Sequence, residues 1–167
     1  MKKFKLFFLV GFLLTQVSCL KETTCNLQVN AYVDTVQLEE DILLIDQYLT
    51  DNQITNTKIH AGSGIRYAIN SPGTGENPIL CDVVTVEYEG RLLDGTIFDG
   101  TAMNGGKPSA FYLAGLITGW QVGIPLIKNG GSITLYLPSS YGYGSSTVGS
   151  IPANSVLIFD ITLLGIN

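Results

Sequence analysis

Charge is scarce in this sequence. Only 14% of its 167 residues are Asp, Glu, Lys or Arg, where a typical domain carries about 25%. Basic residues are fewest, nine against fourteen acidic, for a net charge of −5 and a pI near 4.6. A nucleic-acid groove needs a basic face, so that class is excluded. Low charge combined with 46% hydrophobic residues also excludes a disordered acidic tail and a coiled coil. There is one histidine and no Cys-x-x-Cys spacing among three cysteines, so neither a zinc site nor any other metal is expected. His60 sits beside Ala61 and Gly62 with no Ser or Cys elbow nearby, which leaves nucleophilic and acid–base catalysis without a bearer. The Gly-x-Gly pairs at Gly62/Gly64, Gly73/Gly75 and Gly142/Gly144 lack the strand–loop–helix context of a phosphate loop and read as turns. No carboxylate pair stands at a spacing that assigns it acid–base work, and no internal repeat is present.

What the chain does have is apolar residues, with a mean hydropathy of +0.29, and many of them stand at the front. Lys2, Lys3 and Lys5 precede an apolar run from Leu6 to Leu14, and small and polar residues follow before Cys19. This is the pattern of a secretory leader; the run is too short to cross a bilayer roughly 30 Å thick as a helix. Ser18-Cys19 is similar to the end of a bacterial lipobox, although Gln16 stands where an aliphatic residue is usual. The expectation is a signal peptide over 1–18 and lipidation of Cys19, with plain cleavage as the alternative; stable anchoring takes more than one acyl chain. Three of the nine basic residues and none of the fourteen acidic ones lie in 1–18, so the remaining 149 residues carry a net charge of −8. With Cys19 lipidated, Cys25 and Cys81 form an even pair in an oxidising compartment, where either a disulfide or two thiols fits the sequence.

Residues 19–36 show no sustained period and are expected to be a tether. From Gln37 to Asn52, Leu38, Ile42, Ile45 and Leu49 fall on one helical stripe, which Leu44 and Tyr48 widen. Glu39, Glu40 and Asp41 are expected in the first turns, where negative charge suits the helix dipole, and Asp34 or Thr35 as the cap. The stripe of residues 38–49 either packs on the main domain or makes a homodimer. This helix and its connector occupy 37–57, and a folded domain occupies 58–167. Within it, Ile65–Ile69 alternates as a short strand closed by Ser71-Pro72-Gly73. Asp82–Leu92 alternates with Val84, Val86, Tyr88 and Leu92 on one face, and Asp94-Gly95 then signals a hairpin. Ile133–Leu137 and Val156–Leu164 supply further strands. Leu116–Lys128 is the one short helix expected, with Pro125 in its first turn or breaking it. The fold class is α+β, an antiparallel β-sheet covered by one short α-helix.

Aromatic residues carry the rest. Tyr88, Phe98, Phe111, Trp120, Tyr143 and Phe159 all lie in the β domain beside Leu116, Ile117 and Ile151. By pattern alone they are a core or an apolar pocket. Their order is more specific. VTVEYEGRLLDGTIFDG, AFYLAGLITGWQVGIPLIKNGG and LYLPSSYGYGSSTVGSIPANSVLIFDITLL resemble the FKBP-type peptidyl-prolyl cis–trans isomerases over about residues 79–165. The leader and preceding helix resemble bacterial envelope members of that family.

The resemblance implies a sheet wrapped around a short helix, with a proline pocket between them and no cofactor. It implies pocket walls at Tyr88, Phe98 and Phe159, a floor at Trp120, and a polar group at Asp99. It places at Ile117 a backbone N–H for a substrate carbonyl, and at Tyr143 a hydroxyl within reach of the ligand. Phe111, Leu116 and Ile151 complete the substrate contacts. Ser109 stands where some members place another aromatic, Leu116 replaces a more usual valine, and the 100–107 and 145–150 loops differ from compact members. The expected activity is isomerisation of X–Pro bonds in unfolded or exported polypeptides, by a lipid-anchored protein of a bacterial envelope. The alternative is a non-catalytic peptide-binding or chaperone lipoprotein using the same groove.

Overall fold

The computed structural model describes residues 25–167; the leader expected over 1–18 and the lipidation expected at Cys19 lie outside the described residues. The chain runs α1 (Thr35–Asp51), β1 (Lys58–Ile59), β2 (Arg66–Ser71), β3 (Val83–Leu92), β4 (Ile97–Gly100), β5 (Ser109–Tyr112), α2 (Thr118–Gly123), β6 (Ser132–Leu137) and β7 (Leu157–Ile166). The strands form one antiparallel sheet in the order β1-β2-β6-β7-β3-β4. β5 shares an edge of β3 with β4: Val83–Val86 pair with β5, while Glu89–Arg91 pair with β4. The fold class is the expected α+β. The hairpin expected at Asp94-Gly95 joins β3 to β4; the sequence expectation missed β1 and β5, which are two and four residues long and too short to show a period.

Alternation in β6 and β7 builds two cores, one on each face. Ile133, Leu135 and Leu137 with Leu157, Phe159, Ile161 and Leu163 face α2, where Trp120 and Ile124 join them in the larger cluster. Tyr136 and Ile158 point the other way and meet Ile45 and Leu49 of α1, with Val156. A strand puts successive side chains on opposite faces, so one short segment feeds both clusters. α2 can lie close to the sheet because Gly119 and Gly123 face it: a Cβ at either would stand 2.4 or 2.5 Å from a methyl of Leu137 or Leu135. The helix is shorter than the expected 116–128. It ends at Gly123, and a 3₁₀ turn over Ile124–Leu126 absorbs Pro125, whose ring has no place further inside an α-helix.

α1 starts at Thr35, two residues before the expected start, because Asp34 caps it: its Oδ1 accepts the N–H groups of Val36 (3.0 Å) and Gln37 (3.2 Å). No acidic residue lies in its first turn, which corrects the dipole role expected for Glu39, Glu40 and Asp41; Asp41 is buried instead. Ile45 and Leu49 are buried against the protein's own sheet, about 1.5–3 kcal/mol for each side chain. Leu44, expected to widen the stripe, is 52% exposed. The Arg66 guanidinium, on β2, bonds both oxygens of Asp46 at 2.8–2.9 Å. The segment expected to be a tether is held from Cys25 on, since Cys25 and Cys81 form a disulfide and Ala31 and Val33 pack on the larger core.

Candidate functional site

Aromatic side chains from β3, β4, β5, α2 and β7, and one glycine, shape the site. β3 alternates, so Val84 and Val86 go into the core and Tyr88 follows on the same face at the sheet's rim. At Gly90 the next inward side chain is missing. A Cβ there would stand 2.7 Å from ring atoms of both Phe98 and Phe159, so the glycine is the space those rings occupy. Phe98 on β4 and Phe159 on β7 meet edge to face at 5.5 Å, Trp120 meets Phe159 at 5.2 Å and Tyr88 at 5.1 Å, and Phe111 meets both Tyr88 and Trp120 at 6.1 Å. Such edge-to-face pairs add about 0.5–1.5 kcal/mol each beyond area burial, and they fix the ring planes. The result is a rigid aromatic basin at the N-terminal end of α2.

The basin opens as a cleft of about 140 Å³ lined by Tyr88, Asp99, Phe111, Leu116, Ile117, Trp120, Tyr143 and Phe159. Eight of the ten residues singled out in the protein domain therefore share one surface. The other two do not reach it. Phe98 stands behind Phe159 as the ring that backs it, and Ile151 is 5% exposed within the core, pinned by a bridge to Val148. The Trp120 indole N–H is buried with no acceptor among the described residues.

Polar groups in the cleft are few and bound to one another. Asp99 accepts the Tyr88 hydroxyl on Oδ2 (2.8 Å) and the Asn104 amide and Gly100 N–H on Oδ1 (both 2.8 Å). Burial pushes the Tyr88 phenol up to about 12, and its hydrogen bond to the Asp99 carboxylate pushes the same way. Burial, then the Asp99 charge, also raises Tyr143. Both phenols are therefore neutral donors at physiological pH. Ile117 caps α2, and its carbonyl accepts from Trp120 and Gln121; its own N–H meets no acceptor among the described residues. Among the described residues no three of His, Cys, Asp and Glu gather to hold a metal. His60 is a turn residue: its Nδ1 lies 2.9 Å from the Ser63 hydroxyl.

Three site-shaping residues had escaped the sequence reading. Gly90 is the void under the rings. Asn104 ties the 101–106 loop to Asp99 and reaches the Tyr88 hydroxyl at 3.3 Å. Gln121 donates to the carbonyls of Ala114 (3.1 Å) and Leu116 (2.7 Å), holding the shoulder on which Leu116 and Ile117 sit. Only Gln121 had a local cue, one helical turn after Ile117; the others depend on partners that fold in from elsewhere.

Residues 75–164 match the family model described as FKBP-type peptidyl-prolyl cis-trans isomerase. A probable FKBP-type isomerase, FkpA, of Neisseria meningitidis is 42% identical over 122 residues, covering 72% of this chain and 44% of that protein. The outer membrane protein MIP of Legionella longbeachae is 37% identical over 129 residues, 77% of this chain and 55% of that protein. The chain thus spans about half the length of these curated relatives. The crystal structure of FkpA from Escherichia coli superposes with a TM-score of 0.68 at 34% identity, covering 80% of this chain and 64% of that one.

Proposed function

Given that the chain belongs to the FKBP-type peptidyl-prolyl cis-trans isomerases, we propose that it accelerates rotation about X–Pro bonds in unfolded or exported polypeptides, with the aromatic cleft as the site. The observation that carries this reading is the pairing of an apolar basin with a backbone donor at its edge, Ile117 N–H, that meets no acceptor among the described residues.

The uncatalysed barrier is about 18–20 kcal/mol because twisting the bond breaks amide resonance. Both isomers of an X–Pro bond lie within about 0.5–1 kcal/mol, so both are populated, and because their interchange is a rotation in which no covalent bond is made or broken, a catalyst needs neither an acid nor a nucleophile. Resonance puts negative charge on the carbonyl oxygen and positive charge on nitrogen, which water stabilises. In this reading Trp120 and Phe159 hold the proline ring, Tyr88 and Phe111 exclude water from the bond, and the polarised planar amide loses its solvation. The twisted state is less polar and loses less. Ile117 N–H anchors a neighbouring carbonyl, Leu116 packs beside it, and the Tyr143 hydroxyl bonds the peptide at the open side. Only contacts stronger in the twisted state contribute to rate. Asp99 keeps Tyr88 fixed, and Phe98 keeps Phe159 fixed. Ile151 has a supporting part, under the 145–150 loop.

The test is exchange of a proline-containing peptide measured by NMR with the full chain, together with Trp120→Leu, Tyr143→Phe and Phe159→Leu. Acceleration that falls in all three variants supports the enzyme reading; peptide binding without acceleration would establish a peptide-binding module instead. Export and anchoring through Cys19 belong to the same proposal. They are supported by the Cys25–Cys81 disulfide, a bond of oxidising compartments, and by similarity to a protein named for the outer membrane. Palmitate label lost in Cys19→Ala supports the anchor, and label retained refutes it. A homodimer through 38–49 would have to use Leu43 and Leu44, since Ile45 and Leu49 are covered by the sheet.

A further inference from the structure

Tyr143 is 37% exposed at the open side of the cleft, so side-chain packing alone does not hold it. Its backbone is bracketed instead. The N–H groups of Gly142 and Gly144, on either side of it, both donate to the Ser139 carbonyl, at 2.8 and 2.9 Å. Ser139 opens the 3₁₀ turn Ser139–Tyr141, and it is gripped from its other side. Its N–H and its hydroxyl both donate to Asp41 Oδ2, at 2.7 and 2.6 Å. The second oxygen of Asp41 accepts the Gln37 amide at 2.9 Å. Asp41 is 0% exposed and Ser139 1%.

Asp41 belongs to α1, which contributes nothing to the lining of the cleft. For gluing α1 to the sheet, a buried carboxylate is a poor choice: it costs free energy unless its oxygens are satisfied, and Ile45, Leu49 and the Asp46–Arg66 pair already make that attachment. What the carboxylate adds is direction. It fixes both donors of one residue, and that residue's carbonyl fixes the two amides that frame Tyr143.

We propose that Asp41 is a positioning residue for the cleft, setting Tyr143 through Ser139, so that α1 is a working part of the site. This rests on the isomerase reading above for its kinetic readout, though not for its structural one. The experiment compares the full chain with Asp41→Ala, Asp41→Asn, Ser139→Ala and Asp46→Ala. Three quantities are measured: amide hydrogen exchange at Gly142 and Gly144, KM and kcat on a proline peptide, and the melting temperature. Hydrogen bonds to a buried charge are strong enough that Asp41→Ala should speed exchange at Gly142 and Gly144 about tenfold. KM should rise several-fold while kcat changes less. Asp41→Asn keeps an acceptor oxygen and recovers part of both effects. Asp46→Ala removes a docking contact on the same helix; it lowers the melting temperature but leaves KM and the two amides at wild-type values. If Asp41→Ala does not fold, Ser139→Ala, which loses only the hydroxyl donor, makes the same comparison in the same direction. Equal KM changes in Asp41 and Asp46 variants, in proportion to lost stability, would overturn the proposal, as would unchanged exchange in Asp41→Ala and Ser139→Ala. A wild type without activity would overturn the isomerase reading alone, and exchange would still judge the clamp.

Discussion

Replacing Gly90 with alanine adds one methyl group at the point where the site is most tightly built. The new Cβ would lie 2.7 Å from Phe159 Cε1, 2.7 Å from Phe98 Cε2 and 2.8 Å from Phe98 Cζ, against ordinary carbon contacts of about 3.5–4.0 Å. Each ring must therefore retreat by about 1 Å to reach a normal contact. Phe159 is 3% exposed and backed by Trp120 at 5.2 Å, so its free direction is into the cleft. Overpacking of this kind costs about 1–3 kcal/mol. A chain of this size loses about 2–4 °C of melting temperature per kcal/mol, so a fall of about 2–12 °C is expected. Because the displaced ring lines a cleft of only about 140 Å³, proline-peptide affinity should fall with it. Calorimetry and peptide titration followed by Trp120 fluorescence measure the two effects. Pairing Gly90→Ala with Phe98→Leu should restore part of the stability by removing one of the two clashing rings. Wild-type melting and wild-type affinity in Gly90→Ala would refute the claim that this glycine exists to seat the rings.

Reducing the Cys25–Cys81 disulfide, which closes a loop of sequence separation 56, should destabilise the chain by about 4 kcal/mol on the chain-entropy account; an unchanged melting temperature after thiol titration shows full reduction would contradict this. Tyr88, held up to about 12 by burial and by Asp99, is neutral in the fold above the pH where an unfolded tyrosine ionises. Its contribution to stability is therefore complete below about pH 10 and lost as pH rises through about 12, with no change between pH 6 and 9. Burial also raises Tyr136, Tyr141 and Tyr143, so ultraviolet titration should show several late-ionising phenols and one fewer in Tyr88→Phe; an unchanged late titration in Tyr88→Phe would contradict the assignment. Gln121→Met frees the partly buried carbonyls of Ala114 and Leu116, and KM for a proline peptide should rise several-fold as the shoulder loosens, since a hydrogen bond of this kind contributes about 0.5–1.5 kcal/mol. An unchanged KM would show that the Leu116–Ile117 shoulder holds itself.

The long strands were legible because burial on one face imprints a period of two. Val84, Val86 and Tyr88 could be assigned to one side of β3 before any partner was known. The same holds for Ile133, Leu135 and Leu137. α1 was legible as a stripe at Ile45 and Leu49, though not in its use of Asp41: a charged residue beside a stripe reads as solvated until the loop that supplies its donors is in place. The aromatic basin was legible only through family resemblance. Tyr88, Phe111, Trp120 and Phe159 come from four separate segments, and nothing local tells a pocket wall from a core residue. Ile151 illustrates the limit, since it follows the flap in sequence but packs into the core. Gly90 and Asn104 were invisible for the same reason. An absent Cβ has meaning only once two rings arrive above it, and an asparagine in an exposed loop has meaning only once Asp99 lies 2.8 Å away.

The proposed catalysis of bond rotation, in a protein with one histidine and few charges, uses rings and one backbone N–H, and the substrate is neither protonated nor attacked. The most direct test is the exchange rate between cis and trans forms of an X–Pro peptide, by NMR, with catalytic amounts of the full chain, compared with Trp120→Leu and Phe159→Leu. Faster exchange is expected with the wild type, independent of pH between 6 and 9 and reduced at least tenfold in either variant. Exchange at the uncatalysed rate, with the peptide bound in the cleft, would contradict it.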